Sequence, residues 1–168
     1  MSQAGSGRRQ ILIVCHANTS RSVIAEAVLL RLLHEQGLSE RVGVASGGIA
    51  PYARDGSLAS LDARLVLREI GIDISPQTVA IDLKRHPEHF EAAHVILAMT
   101  DEQRRMLAAF PAADGKPVLL VRELVGESGD VDDPAMQDEC VFQHCRDEIV
   151  RCLRDGLPAL LERLEVRA

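Results

Sequence analysis

Short apolar runs alternate with amphipathic helical segments along this chain, and this order constrains the fold more than any other feature. Residues 10–14 form a compact run rich in β-branched side chains, which is typical of a strand buried on both faces. Beyond Ser22 the apolar residues recur at helical spacing, at Ala25, Val28, Leu29 and Leu32. Strands alternating with helices predict a parallel sheet. We therefore expect an α/β fold, a three-layer doubly wound sandwich with a four-stranded parallel sheet and helices on both faces.

The same alternation predicts the remaining elements. Further strands are expected over residues 42–45, 95–99 and 117–121. Further helices are expected around Leu58, Leu61 and Leu65, over residues 87–93, from Thr100 through Met106, Leu107 and Phe110, and along a last stretch that carries Phe142, Cys145, Ile149, Cys152 and Leu153. Thr100 and Gln103 have the spacing of a capping box, and Gly156 or Pro158 is expected to kink or end the last helix. Residues 123–134 are acidic and contain glycine, which predicts a loop.

The size of the chain fits one domain. It has 168 residues, of which 46% are apolar, so one hydrophobic core can be filled. With one tyrosine, three phenylalanines and no tryptophan, that core must be built from aliphatic side chains. We expect a flexible N-terminal tail over residues 1–9 and a single domain over residues 10–168.

The net charge and the cysteines indicate which partners and which compartment to expect for this protein. The net charge is −6 and no long run of Lys or Arg occurs, which argues against nucleic acid and against a membrane surface as partners. The first apolar run is too short for a signal peptide or a membrane span. Three of the four cysteines crowd one C-terminal stretch, and a chain of this size does not need disulfides. Reduced thiols and a cytoplasmic location are therefore predicted.

The loop after the first strand is the place where a ligand is expected. In open parallel sheets, ligands lie beyond the carboxyl ends of the strands. This loop reads Cys15, His16, Ala17, Asn18, Thr19, Ser20, Arg21 and Ser22, and a helix follows it. Backbone N–H groups of such a loop can converge on a dianion, and the helix N-terminus adds unpaired donors and positive potential.

The side chains of this loop suit phosphate chemistry. The planar fork of Arg21 can bind two phosphate oxygens. The same positive potential favours a thiolate on Cys15, which would then act as a nucleophile, and Ser22 can donate a hydrogen bond to it. Asn18 tolerates positive φ and can bond the backbone of the loop. The alternative is that Cys15 is only a small buried apolar residue.

Transfer of a phosphoryl group to Cys15 also needs an acid that protonates the leaving oxygen. Asp133 is the candidate, because the following Pro134 stiffens the loop and holds its predecessor in an extended conformation. An ordinary acidic turn is the alternative interpretation, since Asp-Pro pairs are common in turns.

Taken together, these segments resemble the low-molecular-weight protein tyrosine phosphatase family. The resemblance runs from Gln10 to the last helix. It rests on Cys15, Asn18, Arg21, Ser22, Ala25 and Glu26 in the signature loop, on Ser46-Gly47-Gly48, on residues 71–75 and 96–99, and on Asp133-Pro134.

The resemblance implies a role for each site residue. Cys15 would be the nucleophile, Arg21 would bind phosphate, and Asp133 would act as general acid and then as general base. His16, Ala17, Asn18, Thr19, Ser20 and Ser22 would surround the phosphate, Asn18, Ser22 and Ser46 would support the loop, and Tyr52 would form an aromatic wall of the cleft. The implied substrate is a phosphorylated protein or a small phosphoaryl compound, with phosphate or another oxyanion in the loop. No cofactor and no metal is implied.

Departures from the family pattern keep two other functions open. Ala17, Ser20, Val23, Ala135 and Met136 replace residues common in the family, and the last two replace aromatic residues. Arsenate reduction with an external thiol is the main alternative. Reductases of this scaffold that use their own thiols need two further cysteines near the third strand, and residues 82–101 contain none. A phosphate-binding module without turnover is the other alternative, against which Cys15, Arg21 and Asp133 argue.

Overall fold

The computed structural model describes residues 7–167. Its strands are β1 (Arg9–Cys15), β2 (Val42–Gly48), β3 (Val95–Ala98) and β4 (Val118–Leu120). Its α-helices are α1 (Arg21–Glu35), α2 (Leu61–Glu69), α3 (Glu88–Ala92), α4 (Asp101–Met106) and α5 (Glu139–Arg163). Short 3-10 helices cover Leu107–Ala109, Pro111–Ala113 and Val121–Val125. Across this described part of the chain, no helix has both the length and the apolar character needed to cross a bilayer.

The sheet is parallel throughout, with the order β2-β1-β3-β4. Strand β1 is buried on both faces. Ile11 and Ile13 pack into the cluster that contains residues of α1, α2 and α5, whereas Leu12 and Val14 pack into the cluster on the other face. The predicted α/β sandwich with a four-stranded parallel sheet is therefore confirmed.

Several element boundaries differ from the prediction. Strand β1 begins at Arg9, which pairs with Val42, so Arg9 belongs to the sheet and not to the predicted tail. Residues 1–6 of that tail lie outside the described part of the chain. Strand β2 extends to Gly48, because it pairs with β1 as far as Cys15. The 3-10 helix Val121–Val125 begins at the last residue of the predicted fourth strand and covers the first residues of the predicted loop, 123–125.

The second predicted helix is present, but the leucines that marked it in the sequence do not form its buried face. Leu58, Leu61 and Leu65 are exposed to 64%, 62% and 43%. The buried residues of α2 are Ala63, Val66 and Leu67. This segment carries two apolar stripes, and periodicity alone cannot choose between them. The structure buries the stripe that contains the small Ala63 against the core that α1 and α5 share.

The sequence predicted that Gly156 or Pro158 would kink or end the last helix. Helix α5 ends at neither residue but continues to Arg163. Gly156 lies where α5 crosses the Val121–Val125 helix. A Cβ at this position would lie 2.5 Å from the Cβ of Leu124, so only glycine permits this approach. The glycine therefore marks a close helix contact and not a helix end.

Candidate active site

The residues that follow β2 hold the loop after β1 in place through backbone hydrogen bonds. Cys15 ends β1 and Arg21 begins α1, so residues 16–20 lie at the carboxyl edge of the sheet. The N–H groups of Ile49 and Ala50 donate to the carbonyls of Cys15 and His16, each at 3.0 Å. A Cβ on Gly48 would lie 2.8 Å from the carbonyl oxygen of His16. Glycine at this position is therefore needed for the loop to sit against β2.

Asn18 holds the loop curled, as predicted from its tolerance of positive φ. Its φ is 61°, and its side chain is buried. The Nδ2 amide donates to Ser22 Oγ at 2.7 Å and to Ser46 Oγ at 2.9 Å, and Oδ1 accepts the N–H of Ile81 at 2.9 Å. Asn18, Ser22 and Ser46, the predicted supports of the loop, thus form one hydrogen-bonded group.

The sulfur of Cys15 faces two donors. The backbone N–H of Asn18 donates to Sγ at 3.2 Å, and Ser22 Oγ lies 2.9 Å from Sγ. Because the Asn18 amide already donates to Ser22 Oγ, the hydroxyl hydrogen of Ser22 is free to point at the sulfur. Both groups are placed to hydrogen-bond to the sulfur when it acts as nucleophile and as leaving group.

Glu26 also belongs to the hydrogen-bonded group of Asn18, Ser22 and Ser46. Its place in the family signature did not indicate this contact. Ser46 Oγ donates to Glu26 Oε2 at 2.7 Å. Burial raises the pKa of the Glu26 carboxyl above its usual range, and the hydrogen bond from Ser46 opposes the rise.

Arg21 connects the loop to the distant segment that carries Asp133. Its side chain is 3% exposed, and Nη1 donates to the carbonyl of Val131 at 2.8 Å. Nη2 lies 3.1 Å from Nδ1 of His16 and 3.7 Å from Oδ2 of Asp133. The N–H of Val131 in turn donates to the carbonyl of Met99, just after β3, at 2.8 Å. The segment before Asp133 is therefore anchored to both the sheet and Arg21.

Asp133 is half-exposed at the edge of the cleft. Its Oδ1 accepts the N–H of Ala135 at 3.0 Å across Pro134, which fixes the turn. Its Oδ2 is the oxygen that faces Arg21. The turn thus directs one carboxylate oxygen towards the loop, as the Asp-Pro pair predicted.

The cleft above the sulfur has a volume of about 180 Å³. Its lining combines residues of the loop with residues from two distant segments: Cys15, His16, Ala17, Thr19, Ser20, Arg21, Tyr52, Asp133 and Ala135. Tyr52 is 65% exposed and is the aromatic residue of this lining. The remaining predicted site residues, Asn18, Ser22 and Ser46, are buried and support the loop.

Ser60 was not anticipated from the sequence. Its Oγ lies 3.1 Å from Ser20 Oγ and accepts the N–H of Ala63 at 3.1 Å, which caps α2. Its own N–H donates to the carbonyl of Thr19 at 2.9 Å. The start of α2 therefore supports the loop from the side of Thr19 and Ser20.

The sequence predicted Gln103 as part of the capping box of α4, whereas in the structure its side chain contacts the loop. Thr100 Oγ1 accepts the N–H of Gln103 at 3.1 Å, so Thr100 caps α4 as predicted. The second half of the predicted capping box does not form. Instead, Gln103 Oε1 accepts the N–H of Met99 at 2.9 Å, and Nε2 lies 3.1 Å from Nδ1 of His16. A buried polar side chain needs hydrogen-bond partners, and those of the Gln103 amide lie outside its own helix.

The C-terminal cysteines differ in burial. Their spacing along the last helix predicts core packing for all three of these cysteines. Cys145 and Cys152 are buried in the core, whereas Cys140 is exposed in the first turn of α5, so the prediction is wrong for Cys140. Burial raises the pKa of Cys145 to about 12. Its sulfur lies 3.9 Å from the carbonyl of Asp132, behind the segment that carries Asp133.

Known proteins resemble this chain over most of its length. Residues 10–166 match the family model described as low molecular weight phosphotyrosine protein phosphatase. The protein-arginine-phosphatase of Geobacillus stearothermophilus is 35% identical over 156 residues, which cover 92% of this chain and 93% of that protein. The low molecular weight protein-tyrosine-phosphatase PtpB of Staphylococcus haemolyticus is 31% identical over 125 residues, which cover 74% and 80%.

A solved structure agrees with these matches. The YwlE arginine phosphatase, as a mutant with a phosphorylated active site serine, aligns with a TM-score of 0.80 and 31% identity. The alignment covers 91% of this chain and 95% of that one. The family predicted from the sequence is therefore confirmed. The chain belongs to the low-molecular-weight phosphotyrosine protein phosphatase family and is a cysteine-dependent phosphatase.

Proposed function

We propose that the protein removes phosphate from protein side chains in two steps, through a phosphocysteine on Cys15. The observation that carries this proposal is the meeting of Cys15 and Asp133 in one cleft, with Arg21 in contact with the segment of Asp133. Cys15 and Asp133 lie far apart in the sequence. Their convergence supplies a nucleophile, an oxyanion-binding cation and an acid, which is the set that phosphoryl transfer requires.

In the first step, the Cys15 thiolate attacks phosphorus and forms an S–P bond. The bond from phosphorus to the leaving atom breaks, and Asp133 gives its proton to that atom. Arg21 and the loop N–H groups stabilise the charge on the three other phosphoryl oxygens. The loop is held in place by Asn18 before substrate arrives, so these donors need little reorganisation during the reaction.

In the second step, water replaces the leaving group. The Asp133 carboxylate accepts a proton from water, and the oxygen attacks phosphorus. The S–P bond breaks and inorganic phosphate leaves. The electron pair of that bond returns to Cys15, where the hydroxyl of Ser22 at 2.9 Å stabilises the thiolate.

Phosphotyrosine is the substrate implied by the sequence resemblance, and Tyr52 is positioned to stack on its ring. Phosphoarginine is a second candidate for two reasons. A relative that is 35% identical is named a protein-arginine-phosphatase. In addition, Ala135 gives the cleft a small side chain where many relatives of the family carry an aromatic ring. A flat guanidinium can stack on Tyr52 and face Asp133, so it suits this cleft as well as a phenyl ring does.

The substrate test compares one peptide sequence that carries phosphotyrosine, phosphoarginine or phosphoserine. We expect phosphate release from the first two and little from phosphoserine, whose short side chain leaves its phosphate far from Cys15. Tyr52→Ala is expected to raise KM by roughly 3- to 10-fold with little change in kcat, because stacking binds the ground state and the transition state alike.

The outcomes of this test separate the candidates. A kcat/KM for phosphoarginine that exceeds the value for phosphotyrosine by tenfold or more would make phosphoarginine the substrate. Reduction of arsenate with added thiols, without hydrolysis of any peptide, would establish the reductase alternative. A large fall in kcat with unchanged KM for Tyr52→Ala would place Tyr52 in the chemistry.

The proposed function includes three further expectations from the sequence, which concern the bound anion, the partner and the compartment. Phosphate or vanadate should occupy the loop, because Arg21 and the backbone donors bind oxyanions of this shape. The net charge of −6 supports a partner other than nucleic acid. A reducing compartment such as the cytoplasm would keep Cys15 a free thiol.

A further inference from the structure

We propose that His16 is a positioning residue, whose Nδ1 accepts a hydrogen bond from Arg21 and holds the guanidinium ready for phosphate. The inference deepens the proposed function, since it assumes that Arg21 binds the phosphoryl oxygens. It does not depend on which phosphorylated side chain is the substrate.

The hydrogen bonds around His16 determine where its proton lies. Gln103 is fully buried, and its Oε1 accepts the N–H of Met99, so Nε2 is the atom that faces His16. Nε2 of Gln103 and Nη2 of Arg21 both lie 3.1 Å from Nδ1 of His16. An amide nitrogen and a guanidinium nitrogen can only donate. Nδ1 is therefore the acceptor, and the ring proton lies on Nε2.

The opposite edge of the ring agrees with this arrangement. Nε2 of His16 lies 3.8 Å from Oε2 of Glu102, which is beyond hydrogen-bond distance but places a carboxylate on the side of the ring that carries the proton in this arrangement. Gln103 and Glu102 are neighbours on α4, so the same helix supplies a donor to Nδ1 and a negative charge near Nε2. The two donors share the single lone pair of Nδ1, so we assign His16 no direct proton transfer with substrate. Its effect must pass through Arg21.

The consequence for Arg21 is a guanidinium that is fixed before phosphate binds. The Val131 carbonyl holds Nη1 at 2.8 Å, and His16 holds Nη2 at 3.1 Å. Asp133 lies 3.7 Å from Nη2, which is too long for a hydrogen bond. Without His16, Nη2 would lose its hydrogen-bond acceptor. An arginine side chain has several rotatable bonds, and holding it in one conformation beforehand removes an entropic cost from phosphate binding.

The test measures the binding of inorganic phosphate by calorimetry in the Cys15→Ser background, where turnover does not interfere. His16→Phe keeps the ring but removes the acceptor, and we expect the Kd for phosphate to rise by about tenfold, the usual size of a lost hydrogen bond to a charged group. His16→Asn places Oδ1 near the position of Nδ1. We expect this variant to stay within about threefold of the parent, since an amide oxygen also accepts.

A double-mutant cycle shows whether the effect passes through Arg21. In an Arg21→Ala background, His16→Phe should weaken phosphate binding no further. His34→Leu, an exposed histidine near the end of α1, serves as the control and should leave the Kd unchanged. His16→Leu removes the acceptor with a smaller side chain, so the result does not depend on one variant folding.

Three results would overturn the inference. The first is an unchanged Kd in both His16→Phe and His16→Leu. The second is an equal loss of affinity in the presence and absence of Arg21. The third is a loss in His16→Asn as large as in His16→Phe with unchanged thermal stability. Phosphate binding by the parent would persist even if the proposed substrates were wrong, so the two proposals fail separately.

Discussion

Replacement of Cys15 by serine is expected to lower kcat by about 10⁴-fold or more, since a serine hydroxyl at this position is far less ionised than a thiol. Binding of phosphate should survive, because Arg21 and the backbone donors remain. Steady-state hydrolysis of a phosphoaryl ester gives the first result, and calorimetry with phosphate gives the second. Cys15→Ser that keeps more than a few per cent of the activity would exclude the phosphocysteine.

The matched control for this experiment is Cys140→Ser. It makes the same chemical change at an exposed cysteine in the first turn of α5, away from the cleft. Activity within about twofold of the parent is expected, as for most surface substitutions. Mass spectrometry of acid-quenched enzyme should locate phosphate on Cys15 and not on Cys140.

The second large effect is expected for Asp133→Asn. Esters with poor leaving groups need the proton, so their kcat/KM should fall by about 10²- to 10³-fold, whereas activated aryl phosphates should lose much less. Breakdown of the phosphocysteine should also slow, because no carboxylate is left to activate water. Asparagine keeps Oδ1 as an acceptor for the N–H of Ala135, so the turn should persist.

Asp132→Asn is the comparison that makes the Asp133 result specific. Asp132 precedes Asp133 in the same loop, but its side chain does not line the cleft. A change of no more than about threefold is expected for all esters. If Asp132→Asn were the more damaging substitution, the assignment of the general acid to Asp133 would be wrong. A burst of leaving group followed by slow turnover in Asp133→Asn would support its part in the second step.

The sequence predicts the parts of this site that are contiguous. Cys15 to Ser22 follow one strand and open one helix, so their spacing alone places a thiol, an arginine and a serine around one point. The Asp-Pro pair is also local, because proline restricts the residue before it. The resemblance to the family adds Ser46 and Tyr52, which no local rule would have brought to the loop.

The remaining contacts depend on tertiary packing and leave no signal in the sequence. Gln103 carries the spacing of a capping box, yet its side chain bonds Met99 and His16 because burial selects partners by proximity. Val131 acts through a main-chain carbonyl, which any residue type supplies. The exposed leucines of α2 show a related limit, since an apolar stripe predicts a helix better than it predicts which face is buried.

The serine at position 20 has a consequence for oxidative damage. A thiolate held for attack on phosphorus is also readily oxidised to a sulfenic acid. Ser20 presents a hydroxyl, directed at Ser60, which cannot form a disulfide with that acid. Cys145 is buried behind Asp132, and its pKa of about 12 keeps it a protonated, poorly nucleophilic thiol at neutral pH. Neither Ser20 nor Cys145 is therefore suited to trap the sulfenic acid as a disulfide, and further oxidation to sulfinic acid is favoured. Peroxide should inactivate this phosphatase permanently unless phosphate occupies the loop.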